Sequence, residues 1–155
     1  MVESNHRGEW MVAFPPRQID AAGITMTLST GKRTIRLTDI LVGEVWLCAG
    51  QSNMEWPLRQ TVDGTAEIAS AADRRHIRLL NLVGAARGSS GVYTAAQLER
   101  LTPSEFCAGT WQTCSSQTVP SFSAAGWYFG RKLNSDLNAP IGLISPAIGG
   151  TPTEA

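Results

Sequence analysis

The sequence predicts an α/β protein in which a small antiparallel β unit precedes a parallel sheet. Three apolar runs, which start at Leu41, Ile77 and Ile141, have the length and composition of strands buried on both faces. Helical patterns at residues 63–72 and 121–137 lie between these runs. Because strands that alternate with helices form parallel sheets with right-handed crossovers, the three runs are expected to share one sheet.

The first 38 residues have the period of two that is typical of strands with one buried face. Apolar residues alternate in residues 9–14, in residues 24–28 and again in residues 35–37, and the last two stretches flank Thr30-Gly31-Lys32. Alternation on both sides of a glycine-containing turn predicts a hairpin. The pattern changes to a solid apolar run at Asp39. We therefore place a domain boundary there, between a β unit (1–38) and an α/β body (39–155).

The helices of the body are predicted from capping residues and periodicity. Asp63 is expected to cap the first helix, which would carry Ala66, Ala69 and Ala72 on one face. A long segment, residues 84–120, contains one short predicted helix at 95–101. The helix at residues 121–137 begins with a Ser121 or Ser123 cap and ends near Asn138. Its predicted apolar stripe is Phe122, Ala125, Phe129, Leu133 and Leu137.

Composition excludes several classes of function. Thirteen basic and thirteen acidic residues cancel, which gives no electrostatic basis for a nucleic acid or membrane partner. No apolar run reaches the ~18 residues of a membrane-spanning helix, and MVESNHRGEW has no hydrophobic signal segment. The cysteines lack metal-ligand spacing, so no metal site is expected. Cys48 is predicted to be a core residue, whereas Cys107 and Cys114 are left either free or paired.

Two strand ends carry residues suited to acyl chemistry. Ser52 follows the first apolar run, and Gly149 and Gly150 follow the last one. A serine needs donors for an oxyanion, and a glycine backbone can approach a substrate closely. Taken alone, each motif is more often an ordinary turn, and the G-x-S-x-G elbow is absent because Met54 occupies its last position.

A general base is missing from this prediction. The two histidines are His6, in the polar N-terminal lead, and His76, just before the second apolar run. A strand of this length places His76 and Asp73 roughly 20 Å from the carboxyl edge of the sheet. Neither histidine is therefore expected to reach Ser52.

The stretch DILVGEVWLCAGQSNMEWPL, residues 39–58, resembles the first block of the sialate O-acetylesterase group of SGNH, or GDSL-like, hydrolases. Three further stretches match: residues 77–82, 111–133 and 139–155. The resemblance implies the N-terminal part of a flavodoxin-like, three-layer α/β/α esterase domain that removes acetyl groups from sugars, preceded by the end of a β domain. TPTEA has the features of a helix start, so the domain is expected to be truncated.

The resemblance also implies site roles. Ser52 would be the nucleophile, its N–H and that of Gly150, preferred over Gly149, would be oxyanion donors, and Gln51 and Asn53 would bind substrate. The family's later Asn, Asp and His have no match here, so a missing C-terminal segment or a second chain would supply them. The alternatives are a catalytically incomplete fragment, a carbohydrate-binding remnant or one chain of a two-chain esterase. Ile148 replaces a frequent Trp, for which Trp56 or Trp111 could substitute.

Overall fold

A computed structural model describes residues 3–31, 33–85 and 91–150, which form a mixed α/β structure with a central mixed sheet. The strands are β1 (Asp20–Thr30), β2 (Arg33–Val42), β3 (Glu44–Leu47), β4 (Ile77–Asn81), β5 (Val83–Gly84), β6 (Cys107–Ala108), β7 (Trp111–Thr113) and β8 (Ile141–Ser145). The helices are α1 (Ser52–Glu55), α2 (Gly64–Ser70), α3 (Ala95–Arg100) and α4 (Ala124–Leu137), with single 3-10 turns at Leu58–Gln60, Ala71–Asp73 and Val119–Ser121.

The predicted hairpin is confirmed. β1 and β2 pair antiparallel, with Leu28 opposite Ile35 and Met26 opposite Leu37, while Lys32 of the turn lies outside the described residues. β2 runs past the expected change of pattern at Asp39, a residue with φ of 58°. The Asp39 carboxylate pairs with Arg78 of β4 at 2.8 Å, which ties this end of the hairpin to the central sheet. Residues 9–14, in contrast, form no strand and are exposed.

The central sheet has the strand order β3-β8-β4-β7. β3, β8 and β4 are parallel, as predicted for the three apolar runs, with Trp46 and Leu79 both opposite Leu143. β7 pairs antiparallel with β4, so the prediction of a wholly parallel sheet is wrong at this edge. β7 lies in the long segment for which the sequence predicted only a helix. That helix is present as α3, and residues 86–90 of the segment are not described.

The first apolar run is not the buried strand that its composition predicted. β3 is an edge strand that pairs with β8 on one side, and Val45 and Leu47 are 63% and 65% exposed. On the other face Trp46 meets Phe129 of α4 edge-on, at 5.1 Å between ring centroids. Only Cys48, just past the strand, is buried. Within the described residues, the sheet face with Val45, Leu47 and Trp111 is therefore open, and helical cover lies on the opposite face.

The helix α4 forms the main cover of the sheet. Ser123 caps it by accepting a hydrogen bond from Gly126 N–H at 3.0 Å, and Asn138 ends it in the left-handed conformation with φ of 48°. Trp127 and Gly130 provide its buried face, and Gly130 leaves room for Leu143 of β8. The predicted stripe is confirmed for Phe122, which is buried, and for Leu133, which packs against the core, but Ala125, Phe129 and Leu137 are exposed. The stripe omitted Trp127, which fills the core, and Gly130, where the missing Cβ lets α4 lie close to Leu143.

The helix α2 also buries a face other than the predicted one. Ala66, Ala69 and Ala72 are exposed, and Asp63 makes no side-chain cap. Instead Ile68 packs against the core, and the Glu67 carboxylate accepts hydrogen bonds from Trp127 Nε1 at 2.9 Å and Arg131 Nη1 at 2.7 Å. The core of the α/β body lies between these helices and the sheet. Its largest fully buried side chains are Trp127, Phe122, Leu58, Ile77, Leu79, Ile141, Leu143, Val119 and Cys114.

Candidate active site

The candidate site lies where the parallel strands β3 and β8 end. Because the two strands pair in parallel, the segments that follow them leave the sheet at the same edge. One segment carries Ser52 and the other carries Gly149. An ideal Cβ placed on Gly149 would be 3.3 Å from Ser52 Oγ and 3.5 Å from Ser52 Cα. The serine and the glycine turn, which the sequence places almost one hundred residues apart, are thus in direct proximity.

The serine segment is fastened to the start of α4. The Cys48 N–H donates to Ile144 O at 2.7 Å, which extends the pairing of β3 up to the turn. Beyond the turn, Trp56 O accepts from Ala124 N at 2.8 Å, and the Leu58 N–H donates to Phe122 O at 3.0 Å. Ser52 itself is exposed at the first position of α1. Its backbone is therefore held from both sides while its side chain faces solvent.

Glu55 is a residue of the site that the sequence analysis missed. Its Oε2 accepts a hydrogen bond from the Gly149 N–H at 2.6 Å. The signal was available, because positions three apart share one face of a helical turn and Glu55 follows Ser52 by three. The sequence did not indicate that Gly149 is the partner of Glu55, because no local pattern connects the two residues.

The two glycines of the turn differ in environment. The Gly149 N–H is occupied by Glu55, and the glycine is partly buried. Gly150 is exposed, has φ of 82° and would meet nothing within 4 Å if it carried a Cβ. Among the described residues its N–H has no hydrogen-bond partner. Of the two strand-end amides, that of Gly150 is thus the one with no acceptor within the described residues.

Of the other residues predicted to contact substrate, some lie near Ser52 and others lie elsewhere in the fold. Gln51 and Asn53 flank Ser52 and are exposed. Trp56 is close in sequence, and its indole Nε1 donates to Gln60 O at 3.4 Å. Trp111 lies elsewhere, because its ring packs against Gly142 on the open face of the sheet. Ile148 packs beside Gly84, where an added Cβ would be 3.1 Å from its Cδ1.

His76 lies at the opposite edge of the sheet from Ser52. His76 O accepts from Ile141 N at 3.1 Å, which places His76 at the amino edge of the sheet, where β8 begins. Asp73 lies in the 3-10 turn just before it. His6 is in the exposed lead ahead of the hairpin. In the described part of the chain, Ser52 makes no hydrogen bond to either histidine.

The cysteines are free and offer no reactive centre at this edge. Cys107 is in β6, whereas Cys114 is buried with its Sγ 3.9 Å from Ala71 O, so the possible pair is not formed. Burial raises the pKa of Cys48, and burial raises that of Cys114 to about 12 despite the opposing charge of Arg74. The described residues contain no cluster of three potential metal ligands and no helix long and apolar enough to cross a membrane.

Comparison with known proteins gives similarity over nearly the whole chain. No family profile matches. The human sialate O-acetylesterase is 33% identical over 158 aligned positions, which cover 97% of this chain and 28% of that protein. The enzyme of the same name from Rattus norvegicus is 32% identical over 94% of this chain and 26% of its own length. The predicted resemblance to the sialate O-acetylesterase group is thereby confirmed.

The fold of this chain is also similar to that of a solved carbohydrate acetylesterase. The crystal structure of a carbohydrate acetylesterase from Xanthomonas citri superposes with a TM-score of 0.77 and 28% identity, over 96% of this chain and 31% of that one. The chain therefore spans between a quarter and a third of the length of these relatives.

Proposed function

We propose that this relative of the sialate O-acetylesterases carries the nucleophile-bearing part of a serine carbohydrate O-acetylesterase of the SGNH type. The observation that carries the proposal is the meeting of Ser52 with the Gly149-Gly150 turn at one edge of the sheet. A nucleophile beside free backbone amides is the arrangement that acyl transfer requires. The names of the relatives supply the substrate class, an acetylated carbohydrate, and no metal or organic cofactor is needed.

In the proposed reaction, Ser52 Oγ attacks the acetyl carbonyl while a base takes the serine proton. The carbonyl oxygen becomes an oxyanion, which accepts hydrogen bonds from the backbone N–H groups of Ser52 and Gly150. The bond between the acetyl carbon and the sugar oxygen then breaks, and the base gives its proton to that oxygen, which leaves as the sugar hydroxyl. Water attacks the acetyl-serine in the same way, which releases acetate and restores Ser52. A single oxyanion donor of this kind lowers the barrier by ~2.7–4 kcal/mol.

The base in this scheme comes from outside these 155 residues, either from further chain or from a second polypeptide. The position of His76 at the opposite edge of the sheet supports this part of the proposal. Further chain would also complete the three-layer sandwich, because it would cover the open sheet face on which Val45 and Leu47 are exposed. The position of His76 away from Ser52 also favours one alternative, a catalytically incomplete remnant that binds acetylated sugars without hydrolysing them.

The test is chemical rescue with free imidazole, which stands in for the missing base. We would measure the hydrolysis of p-nitrophenyl acetate by the unchanged chain and by Ser52→Ala. Imidazole also hydrolyses this ester directly, and the rate with Ser52→Ala is the background to be subtracted. We expect little turnover without imidazole, and with it a serine-dependent rate at least ~10-fold above that of Ser52→Ala, a fraction of what a positioned base contributes.

Two results would contradict the proposal. Equal rates for the chain and Ser52→Ala with imidazole, when both are folded by circular dichroism, would mean that Ser52 is not a nucleophile. Rapid turnover without imidazole, abolished by Ser52→Ala, would place the base inside the chain. The remnant alternative instead predicts binding of acetylated glycans that Ser52→Ala leaves intact, together with no labelling by a fluorophosphonate.

A further inference from the structure

We propose that Glu55 is a positioning residue that holds the Gly149-Gly150 turn over Ser52 and thereby assigns the oxyanion to Gly150. The inference rests on the proposed function for its catalytic meaning, but the contact itself can be tested without any activity.

The contact joins two segments that are far apart in the chain. The Glu55 Oε2 and the Gly149 nitrogen are 2.6 Å apart, although 94 residues separate them. Hydrogen bonds that a carboxylate accepts are shorter and stronger than neutral ones. Both residues are partly shielded from solvent, which strengthens the interaction further. Because Glu55 is on the helical turn that begins with Ser52, the bond fixes the glycine turn relative to the nucleophile itself.

The packing at the turn is adapted to this carboxylate. A Cβ at Gly149 would be only 2.7 Å from Glu55 Oε2, and no ordinary Cβ makes so short a contact. The absence of a side chain therefore lets the carboxylate lie directly against the backbone of Gly149. The next residue has no such neighbour, since a Cβ on Gly150 would meet nothing within 4 Å.

The hydrogen bond also divides the roles of the two amides. An N–H that is already donated to a carboxylate is not available to a second acceptor, and the negative charge disfavours an oxyanion at the same point. The oxyanion would therefore be bound by the Gly150 N–H, whose peptide is oriented by the anchored residue before it. Glu55 acts in this scheme as the hydrogen-bond acceptor that holds the Gly149 N–H.

The experiment compares Glu55→Ala, Glu55→Gln and the surface control Glu99→Ala, which removes an exposed glutamate from α3. The first measurement is the hydrogen-exchange rate of the Gly149 amide by NMR. The second is the imidazole-assisted, Ser52-dependent acylation rate with p-nitrophenyl acetate. In Glu55→Ala we expect Gly149 exchange to be at least ~10-fold faster and acylation at least ~10-fold slower, as loss of a charged hydrogen bond implies. Glu55→Gln retains an acceptor oxygen and should restore both rates to near those of the unchanged chain, which Glu99→Ala should match.

Each other result overturns a definite part of the inference. Unchanged Gly149 exchange in Glu55→Ala would refute the contact. Faster exchange with unchanged acylation would refute the positioning role. A Glu55→Gln variant as impaired as Glu55→Ala would mean that the charge acts rather than the acceptor. If Glu55→Ala does not fold, Glu55→Asp, which withdraws the carboxylate by one methylene, takes its place with the same expectations.

The two proposals fail in different ways. Absence of any Ser52-dependent rate in the unchanged chain would remove the proposed function and with it the catalytic role of Glu55. The exchange rate of the Gly149 amide would still decide whether the carboxylate holds the turn.

Discussion

Substitution of Gly149 by alanine should destabilise the fold through the contact with Glu55. The added Cβ would be 2.7 Å from Glu55 Oε2 and 3.3 Å from Ser52 Oγ. The first distance is too short, so either the carboxylate or the turn must move and their 2.6 Å hydrogen bond must weaken. Forced overpacking costs about 1–3 kcal/mol, and losing a hydrogen bond to a charged group costs about 1.5–3 kcal/mol. The two costs do not add in full, because movement of the turn relieves the overpacking while it weakens the hydrogen bond. We therefore expect a total loss of about 2–3 kcal/mol in the free energy of unfolding.

Urea denaturation monitored by tryptophan fluorescence measures this loss. The matched control is Gly31→Ala, because a Cβ at Gly31 meets nothing within 4 Å. Its stability should equal that of the unchanged chain or exceed it by up to about 1 kcal/mol, through a smaller entropy of the unfolded state. A Gly149→Ala variant within about 0.5 kcal/mol of the unchanged chain would show that the turn is not packed against Glu55, because surface changes alone fall in that range.

Two further predictions concern the core of the α/β body. Glu67→Ala should lower the free energy of unfolding by about 1–3 kcal/mol, because it leaves the buried Trp127 indole N–H without its acceptor and unpairs Arg131; a loss below about 0.5 kcal/mol in urea denaturation would contradict this. Burial raises the pKa of the Cys114 thiol to about 12 in the fold from an ordinary value of 9.0, so the stability it contributes is complete below pH 9 and is lost as the pH rises toward 12. The urea midpoint of Cys114→Ala should therefore fall less between pH 9 and 11 than that of the unchanged chain, and parallel profiles would refute the argument.

Local patterns were sufficient for the hairpin, the three parallel strands and the helix α4, but they did not predict β7 and wrongly predicted a strand at residues 9–14. Alternation around residues 30–32 indicated the hairpin, and the three apolar runs indicated the three parallel strands. Ser121 or Ser123 and Asn138 were predicted to bound α4, and the structure selects Ser123. These signals depend on residues close together in the chain, where side-chain period and capping are determined. They were wrong about burial. The run that includes Val45 and Leu47 has the composition of a central strand, but it lies at an edge.

The candidate site divides in the same way. The sequence by itself placed Ser52 after one strand and Gly149-Gly150 after another, and parallel pairing was enough to expect both at one edge. Only the tertiary structure decided that Glu55 bonds to Gly149, while the Gly150 amide has no acceptor among the residues that the structure describes. The physical reason is that a contact across 94 residues depends on strand register and helix orientation, which arise from packing of the whole body and have no local signature.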